Sequence, residues 1–237
     1  MTTTAVPNAS AIGPSTVEDV AYRDGLAAGL RAILDPLAPV PVTLEGYTLL
    51  PAGCPALVER PGLAVLPHAL AATEGLVLVR VEAWARGATG LDGALRPPAR
   101  GGAARYALPL VAVRMGLLRR MLDAAVAHLA GRQSDGAPLT ARQLVQAAVA
   151  DVATTVEVCG HALCTARAST VDPQSTVDGG PTAGWLHARL DRADLTVATM
   201  FGAAGYLRGH PVRCLHVAAL VREAWAPGAS TDHAWES

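Results

Sequence analysis

Arg132, Gly136 and Gln143 share one helix connection, GRQSDGAPLTARQLVQ (131–146), where a plain spacer would need neither the cation nor the spacing. An arginine fork matches paired oxyanions bidentately. Glycine lets backbone N–H groups come close to a phosphate, and a loop leading into a helix N-terminus suits an anion. The structural alternative is that Arg132 is a favourable charge at the C-terminal end of the preceding helix. A second Gly-rich turn, TMFGAAGYLRGHPV (199–212), lies downstream. Cys159, His161 and Cys164 are metal-ligand types, but within a helical pattern their spacing does not put them on one face, so no metal site is expected.

The elements that position these residues come from a chain of 237 residues, 51% hydrophobic and 16% charged. That length and balance describe a globular protein able to bury a sizeable core. A net charge of −1 leaves no basic stripe for nucleic acid. Four cysteines without a CxxC pair fit a reduced, cytoplasmic protein with buried thiols. The best membrane candidate, ALPLVAVRMGLL (107–118), is interrupted by Arg114, so no span and no membrane partner are expected. Residues 1–16 have no basic or continuous apolar segment and read as a disordered lead-in rather than a signal.

Residues 17–35 form an amphipathic pattern stopped by Pro36. Three β-type runs follow at 42–50, 55–66 and 75–84. The last places Leu76, Leu78, Arg80 and Glu82 on one face and Val77, Val79 and Val81 on the other. RPPARGG (96–102) punctuates the chain. Beyond it Leu108, Val111, Met115, Leu118, Leu122, Val126 and Leu129 step by three and four, with Pro109 suited only to a first turn. A second helix starts at Thr140 as N-cap and carries Val145, Val149, Val152, Val156, Cys159 and Leu163. After a loop at 169–184, a third carries Leu186, Leu190, Ala193, Val197 and Phe201, and a fourth runs from Pro211 to about Trp225. The expected fold is α+β and mostly α. A shortened helix plus β-rich region (17–100) precedes a four-helix up-down bundle (101–226) and a tail (227–237).

MGLLRRMLDAAVAHLAGRQSDGAPLTARQLVQAAVADVATTVEV (115–158) resembles the C-terminal bundle of acyl-CoA dehydrogenases. The family pattern is Arg-x-x-Phe-Gly-x-x-Leu, a Gln opening the next helix, then Leu-Ala-Asp-Met. Gly116-Leu117, Arg132, Gly136, Leu139, Gln143 and Ala150-Asp151-Val152 take the matching places. The downstream turn resembles the family's Gln-x-x-Gly-Gly-x-Gly-Tyr, with Gly202, Gly205, Tyr206 and Pro211 in register. The resemblance implies that Arg132 reaches across a dimer interface to the FAD diphosphate of a neighbouring subunit. It further implies that Gln143, Thr199, Gly202 and Ala203 hold the adenosine side.

Departures accompany it. Asp135 replaces the Phe, setting an anion where it would repel phosphate, and Thr199 and Ala203 replace the Gln and the paired Gly. The usual slot of the catalytic Glu falls at Ala226, and the other known position meets Tyr106 and Ala107. Glu223, within a turn of the slot, is the candidate base, against the plainer reading of a solvated carboxylate beside Arg222. The resemblance therefore implies a degenerate, shortened subunit. It would join a homo- or hetero-oligomer with a full-length homologue, share FAD, and act on the α,β C–C bond of an acyl thioester. The alternative is a dimerisation or scaffold module with the inherited bundle and no flavin.

Overall fold

The computed structural model describes residues 14–34, 41–43, 45–54, 62–81, 100–171, 179–207 and 209–226. Most of the lead-in, residues 55–61 of the second β-type run, 82–99 with Glu82, and the 227–237 tail lie outside the described residues.

Every residue from Leu110 to Leu118 is buried. A helix apolar on all sides belongs in a core, and this one, α4 (Arg100–Ala130), is the central element. Four other helices and a leading pair surround it: α1 (Pro14–Asp24), α2 (Leu26–Ile33), the short α3 (Ala69–Thr73), α5 (Gln143–Val171), α6 (Gly179–Met200) and α7 (Arg213–Trp225). α4, α5, α6 and α7 form the bundle, and α1 and α2 also pack on α4. Most of each stripe is buried as its period predicts, Val152, Val156, Cys159 and Leu163 on α5 and Leu186, Leu190, Ala193 and Val197 on α6, but Leu122 and Val126 of α4 and Val145 and Val149 of α5 are only half-buried. Strands β1 (Tyr47–Pro51), β2 (Leu63–Leu66) and β3 (Leu76–Val81) make an antiparallel sheet in the order β1-β3-β2. Tyr47 pairs with Arg80 and Leu63 with Val81. Val79 and Val81 are buried as the alternation predicts, but so is Leu76 from the opposite face. The start of β3 is tucked against α2, where a Cβ on Gly75 would lie 3.2 Å from Ala27.

Several boundaries differ from expectation. The 17–35 helix is two helices, because Gly25 takes φ +87° and turns the chain between them. α1 begins at Pro14, inside the expected lead-in. Pro109 lies well inside α4 rather than in its first turn. Its missing N–H and its ring cost about 3 kcal/mol in a helix interior, offset by burial of Tyr106, Ala107 and Leu108 just upstream. Thr140 is no N-cap: it sits in a 3-10 turn (Leu139–Ala141), and the extended Arg142 delays α5 to Gln143. Residues 172–178 of the expected 169–184 loop lie outside the described residues, and the rest is helix, since α5 continues to Val171 and α6 starts at Gly179. Pro181 is tolerated there because a first-turn N–H has no helical partner anyway. By length and composition alone one segment, Gln143–Ala168, is long and apolar enough to cross a membrane, with a mean hydropathy of 1.3. Ala and Val supply that average, and Val152, Val156, Cys159 and Leu163 turn into the bundle. Cys54, Cys159 and Cys214 are buried free thiols, while Cys164 is exposed.

α1 rests on α4 with almost no gap. A Cβ on Gly116 would stand 2.2 Å from the Glu18 carbonyl oxygen and 2.9 Å from the Tyr22 nitrogen. Arg119 donates to Glu18 at 2.7 Å and the Tyr22 hydroxyl to Asp123 at 2.8 Å on either side of this contact. Gly116→Ala is expected to lower stability by about 1–3 kcal/mol, because backbone rather than a flexible side chain must yield. A urea midpoint equal to that of the unmodified chain would contradict this packing.

Candidate functional site

α4 ends one residue before Gly131, and the chain then builds a small platform. The Arg132 carbonyl accepts from the Leu139 N–H at 2.8 Å, closing a hairpin of β4 (Gln133–Ser134) and β5 (Ala137–Pro138). Asp135 (φ +52°) and Gly136 (φ +76°) form its tip, the left-handed pair that an Asp-Gly tight turn uses. Asp135 does not stand as a lone anion: Arg142 Nη2 donates to it at 2.7 Å. Its expected repulsion of a phosphate is thereby offset within the loop.

A second segment meets this platform. Phe201 is buried just after α6, its ring 5.5 Å from His128 of α4 and 4.5 Å from His210. Those contacts bring the following 3-10 turn (Gly202–Tyr206) to the end of α4. Gly202 has φ +55°, and a Cβ there would lie 4.0 Å from Arg132 Nη1. The guanidinium thus stands beside a left-handed glycine, from a position seventy residues earlier in sequence. Arg132 is exposed, and among the described residues no carboxylate pairs with it. Ala203 is exposed on the same turn, and Gln143 is the exposed first residue of α5. The Thr199 hydroxyl donates back to Thr196 O at 2.7 Å. Arg132 and Gly202 are therefore brought together, and no hydrogen bond joins Gln143 or Thr199 to them among the described residues.

The other end of the bundle is closed. Ala226 is buried at the C-terminus of α7. Trp225 is 0% exposed, donates Nε1–H to the Leu49 carbonyl of β1 at 3.1 Å, and meets the buried Tyr106 edge-on at 5.2 Å. These two rings fill the space between α7, the early turns of α4 and the sheet. Glu223 is 52% exposed and pairs with Arg222, so it faces solvent beside a cation rather than an enclosed apolar space.

A model of the acyl-CoA dehydrogenase C-terminal domain matches residues 104–231, more than half of the chain. The chain belongs to the acyl-CoA dehydrogenase family. Among solved structures, the chain is similar to the ChsE4-ChsE5 complex from Mycobacterium tuberculosis (22% identity, 80% of this chain and 55% of that one, TM-score 0.55). It is also similar to the Tcur3481-Tcur3483 steroid ACAD (18% identity, 78% and 53% covered, TM-score 0.53). A third is butyryl-CoA dehydrogenase from Megasphaera elsdenii (15% identity, 72% and 46% covered, TM-score 0.51). The chain spans about half the length of these proteins, and at such identities the likeness is one of fold. A comparison with curated proteins finds no match.

One polar cluster of the chain escapes the motif reading. Arg114, only 1% exposed in the middle of α4, donates through Nη2 to Asp191 and Asp194 at 2.7 Å each. Nη1 meets His187 Nδ1 at 3.1 Å, and His187 Nε2 meets Ala107 O at 3.1 Å. Arginine only donates, so Nδ1 accepts and Nε2 carries the hydrogen. Arg222 donates to the second Asp191 oxygen. In the sequence Arg114 reads only as an interruption. The available signal is His187, Asp191 and Asp194 at i, i+4 and i+7, one face of one helix.

Burial pushes the Asp194 carboxyl up to about 6, against the pull of Arg114. Burial and the Arg114 charge push His187 down to about 3. The two act oppositely on stability. Asp194 binds its proton more tightly folded than unfolded, so its contribution is present below pH 4 and lost as pH rises to about 6. His187 resists protonation when folded, so its contribution is present above pH 6.5 and lost as pH falls towards 3. Between about pH 4 and 6 the slopes cancel, each near 1.4 kcal/mol per pH unit. In that window His187→Gln is expected to make stability fall with rising pH, and Asp194→Asn to make it rise. Urea midpoints at three pH values test this; parallel curves for both variants would refute the assignment.

Proposed function

We propose that this chain is a non-catalytic, cytoplasmic subunit of a heteromeric flavin-dependent acyl-CoA dehydrogenase. It lends Arg132 to a FAD site shared with a full-length partner, which dehydrogenates the α,β bond of an acyl thioester. Members of the family generally bind FAD, and the ChsE4-ChsE5 complex is a precedent for assembly from two different chains. The observation that carries the reading is the pairing of an exposed Arg132, without a carboxylate partner among the described residues, with the left-handed Gly202, while the base slot at Ala226 is buried.

The residues fit one half of the cofactor. Arg132 suits a diphosphate bidentately, and Gly202 leaves its backbone open to a close approach because no side chain covers it. Ala203, exposed on the same turn, and Gln143, exposed at the start of α5, would face the adenosine. The flavin ring and acyl chain do not fit the closed end, where Trp225 and Tyr106 occupy the space and, among the described residues, Glu223 is turned to solvent beside Arg222. Bound FAD would supply the hydride acceptor, and the proton would leave to a base on the partner. The partner would also cover α5, where only 22% of the apolar stretch is buried and Leu144 is 85% exposed.

The test is the visible absorbance spectrum of the chain purified alone and after co-expression with its nearest full-length homologue. Flavin bands are expected only in the co-expressed complex, with flavin affinity about tenfold or more weaker in Arg132→Ala, as for loss of a charged hydrogen bond. Undiminished flavin in Arg132→Ala would remove this residue from the site. No flavin in either preparation would leave the scaffold reading, which the inward-bonded Thr199 hydroxyl and the filled slot favour.

A further inference from the structure

Phe201 is seated between two imidazoles, 5.5 Å from His128 in the last turn of α4 and 4.5 Å from His210 ahead of α7. The Gly202–Tyr206 turn depends on this seat. A Cβ on Gly205 would lie 3.3 Å from Phe201 Cβ and 3.7 Å from Val212, so the turn is folded back on the ring that holds it.

Both imidazoles are placed where only the neutral form fits. His210 Nδ1 accepts from the Val212 N–H at 3.2 Å. An imidazolium carries hydrogen on both nitrogens, so protonation would set one N–H against another and break that bond. His128 Nε2 is buried and has no hydrogen-bond partner among the described residues. A neutral ring can leave a bare lone pair there, but the cation would bury an unmet, charged N–H, which is far costlier. The C-terminal dipole of α4 favours a cation at His128. That gain needs an N–H free to reach a carbonyl or water, which release of the ring would permit.

The charges around the pair act in the same direction. α4 brings Arg132 one turn beyond His128, and α7 brings Arg213 beside His210. Glu74, after α3, is already held by Arg213 Nε and Nη2 at 3.2 and 3.1 Å. The turn itself adds only Tyr206, which is exposed. Among the described residues no carboxylate pairs with either imidazole. Burial, then His128 and Arg213, hold the His210 imidazole below its usual value. A depressed histidine contributes stability that is present above pH 6.5 and fades as the pH falls below it.

We propose that His128, Phe201 and His210 form a proton-sensitive latch. The neutral pair holds the Gly202–Tyr206 turn against the end of α4, and protonation frees it, drawing Gly202 away from Arg132. α7 stays in place, held by the Arg213–Glu74 pair and by Trp225 on Leu49. The latch stands on the two rings alone. Its consequence for a bound diphosphate, a grip that loosens in acid, rests on the function proposed above.

Amide hydrogen exchange of the full chain at pH 7.5 and pH 5.5, corrected for the intrinsic rate, tests this. The reporters are the Leu207 and His210 amides, which donate to the Ala204 and Leu207 carbonyls. The buried Leu110–Leu118 run of α4 is the reference. Opening of the turn is expected to rise about tenfold or more between the two pH values, since one proton taken up on opening gives tenfold per pH unit. The reference amides are expected to keep their protection. His128→Phe with His210→Asn keeps an aromatic body and a short acceptor for Val212, and is expected to abolish the rise. His210→Asn alone is expected to lose part of it, a check that stands even if the double variant folds poorly. Equal protection at both pH values, the same rise in both variants, or a parallel loss in Leu110–Leu118 would overturn the latch. No flavin is needed, so failure here leaves the shared cofactor site untouched, and absence of flavin leaves the latch untouched.

Discussion

Arg114→Met is expected to lower the unfolding free energy by about 3–5 kcal/mol at pH 8, the usual cost of removing one partner from a buried ion pair. Methionine keeps an apolar stem of similar reach but offers no donor to Asp191, Asp194 or His187. Asp194 would then keep a buried charge with its nearest cation gone. Its one relief is protonation, so the penalty should shrink at pH 5. Urea denaturation followed by far-ultraviolet circular dichroism at both pH values measures it. A loss independent of pH would mean that Arg114 acts by packing alone. Adding Asp194→Leu to Arg114→Met is expected to recover much of the stability, because apolar replacement of a whole buried pair is often neutral or favourable.

Trp225→Ala is expected to cost a comparable 3–5 kcal/mol or about that, the range for emptying a buried aromatic site. Trp225 is 0% exposed and joins α7 to β1 through Leu49 and to α4 through Tyr106. Trp225→Phe separates the contributions: the ring contact survives in part, and the indole hydrogen bond, worth about 1 kcal/mol, is lost. The same denaturation experiment reads both variants. Equal costs for Ala and Phe would show that the hydrogen bond rather than the volume seals this end of the bundle.

The bundle is legible in the sequence because its signal is local. Leu186, Leu190, Ala193, Val197 and Phe201 repeat at helical spacing and are all buried. What the period misses is where local preference yields to tertiary contact. Pro109 reads as a start, yet the helix runs through it because the turns on both sides are buried. Thr140 reads as a cap, yet the extended Arg142 intervenes. Arg114 reads as a defect in an apolar run, since its partners lie 73 to 80 residues downstream. The two segments that meet at Arg132 and Gly202 are each visible as motifs. Their meeting depends on Phe201 seated between His128 and His210, a long-range packing event that no local pattern encodes. The sealed base slot has the same character, for a Trp beside Ala226 says nothing by itself about a strand carbonyl 176 residues away.

α1 lies on Gly116, and its Tyr22 hydroxyl reaches Asp123 across 101 residues of sequence. A chain emerging from the ribosome therefore completes α1, α2 and the three-stranded sheet well before the surface they bury against exists. Until α4 is released Leu26 and Leu30 of α2, and until α7 is released Leu50 of β1, each 2% exposed or less in the finished fold, lack part of the surface that covers them. Non-local closure of this kind slows folding and leaves apolar surface open to wrong partners. Synthesis in the presence of a holdase chaperone, or close beside a nascent partner subunit, is the condition under which such a topology is safest.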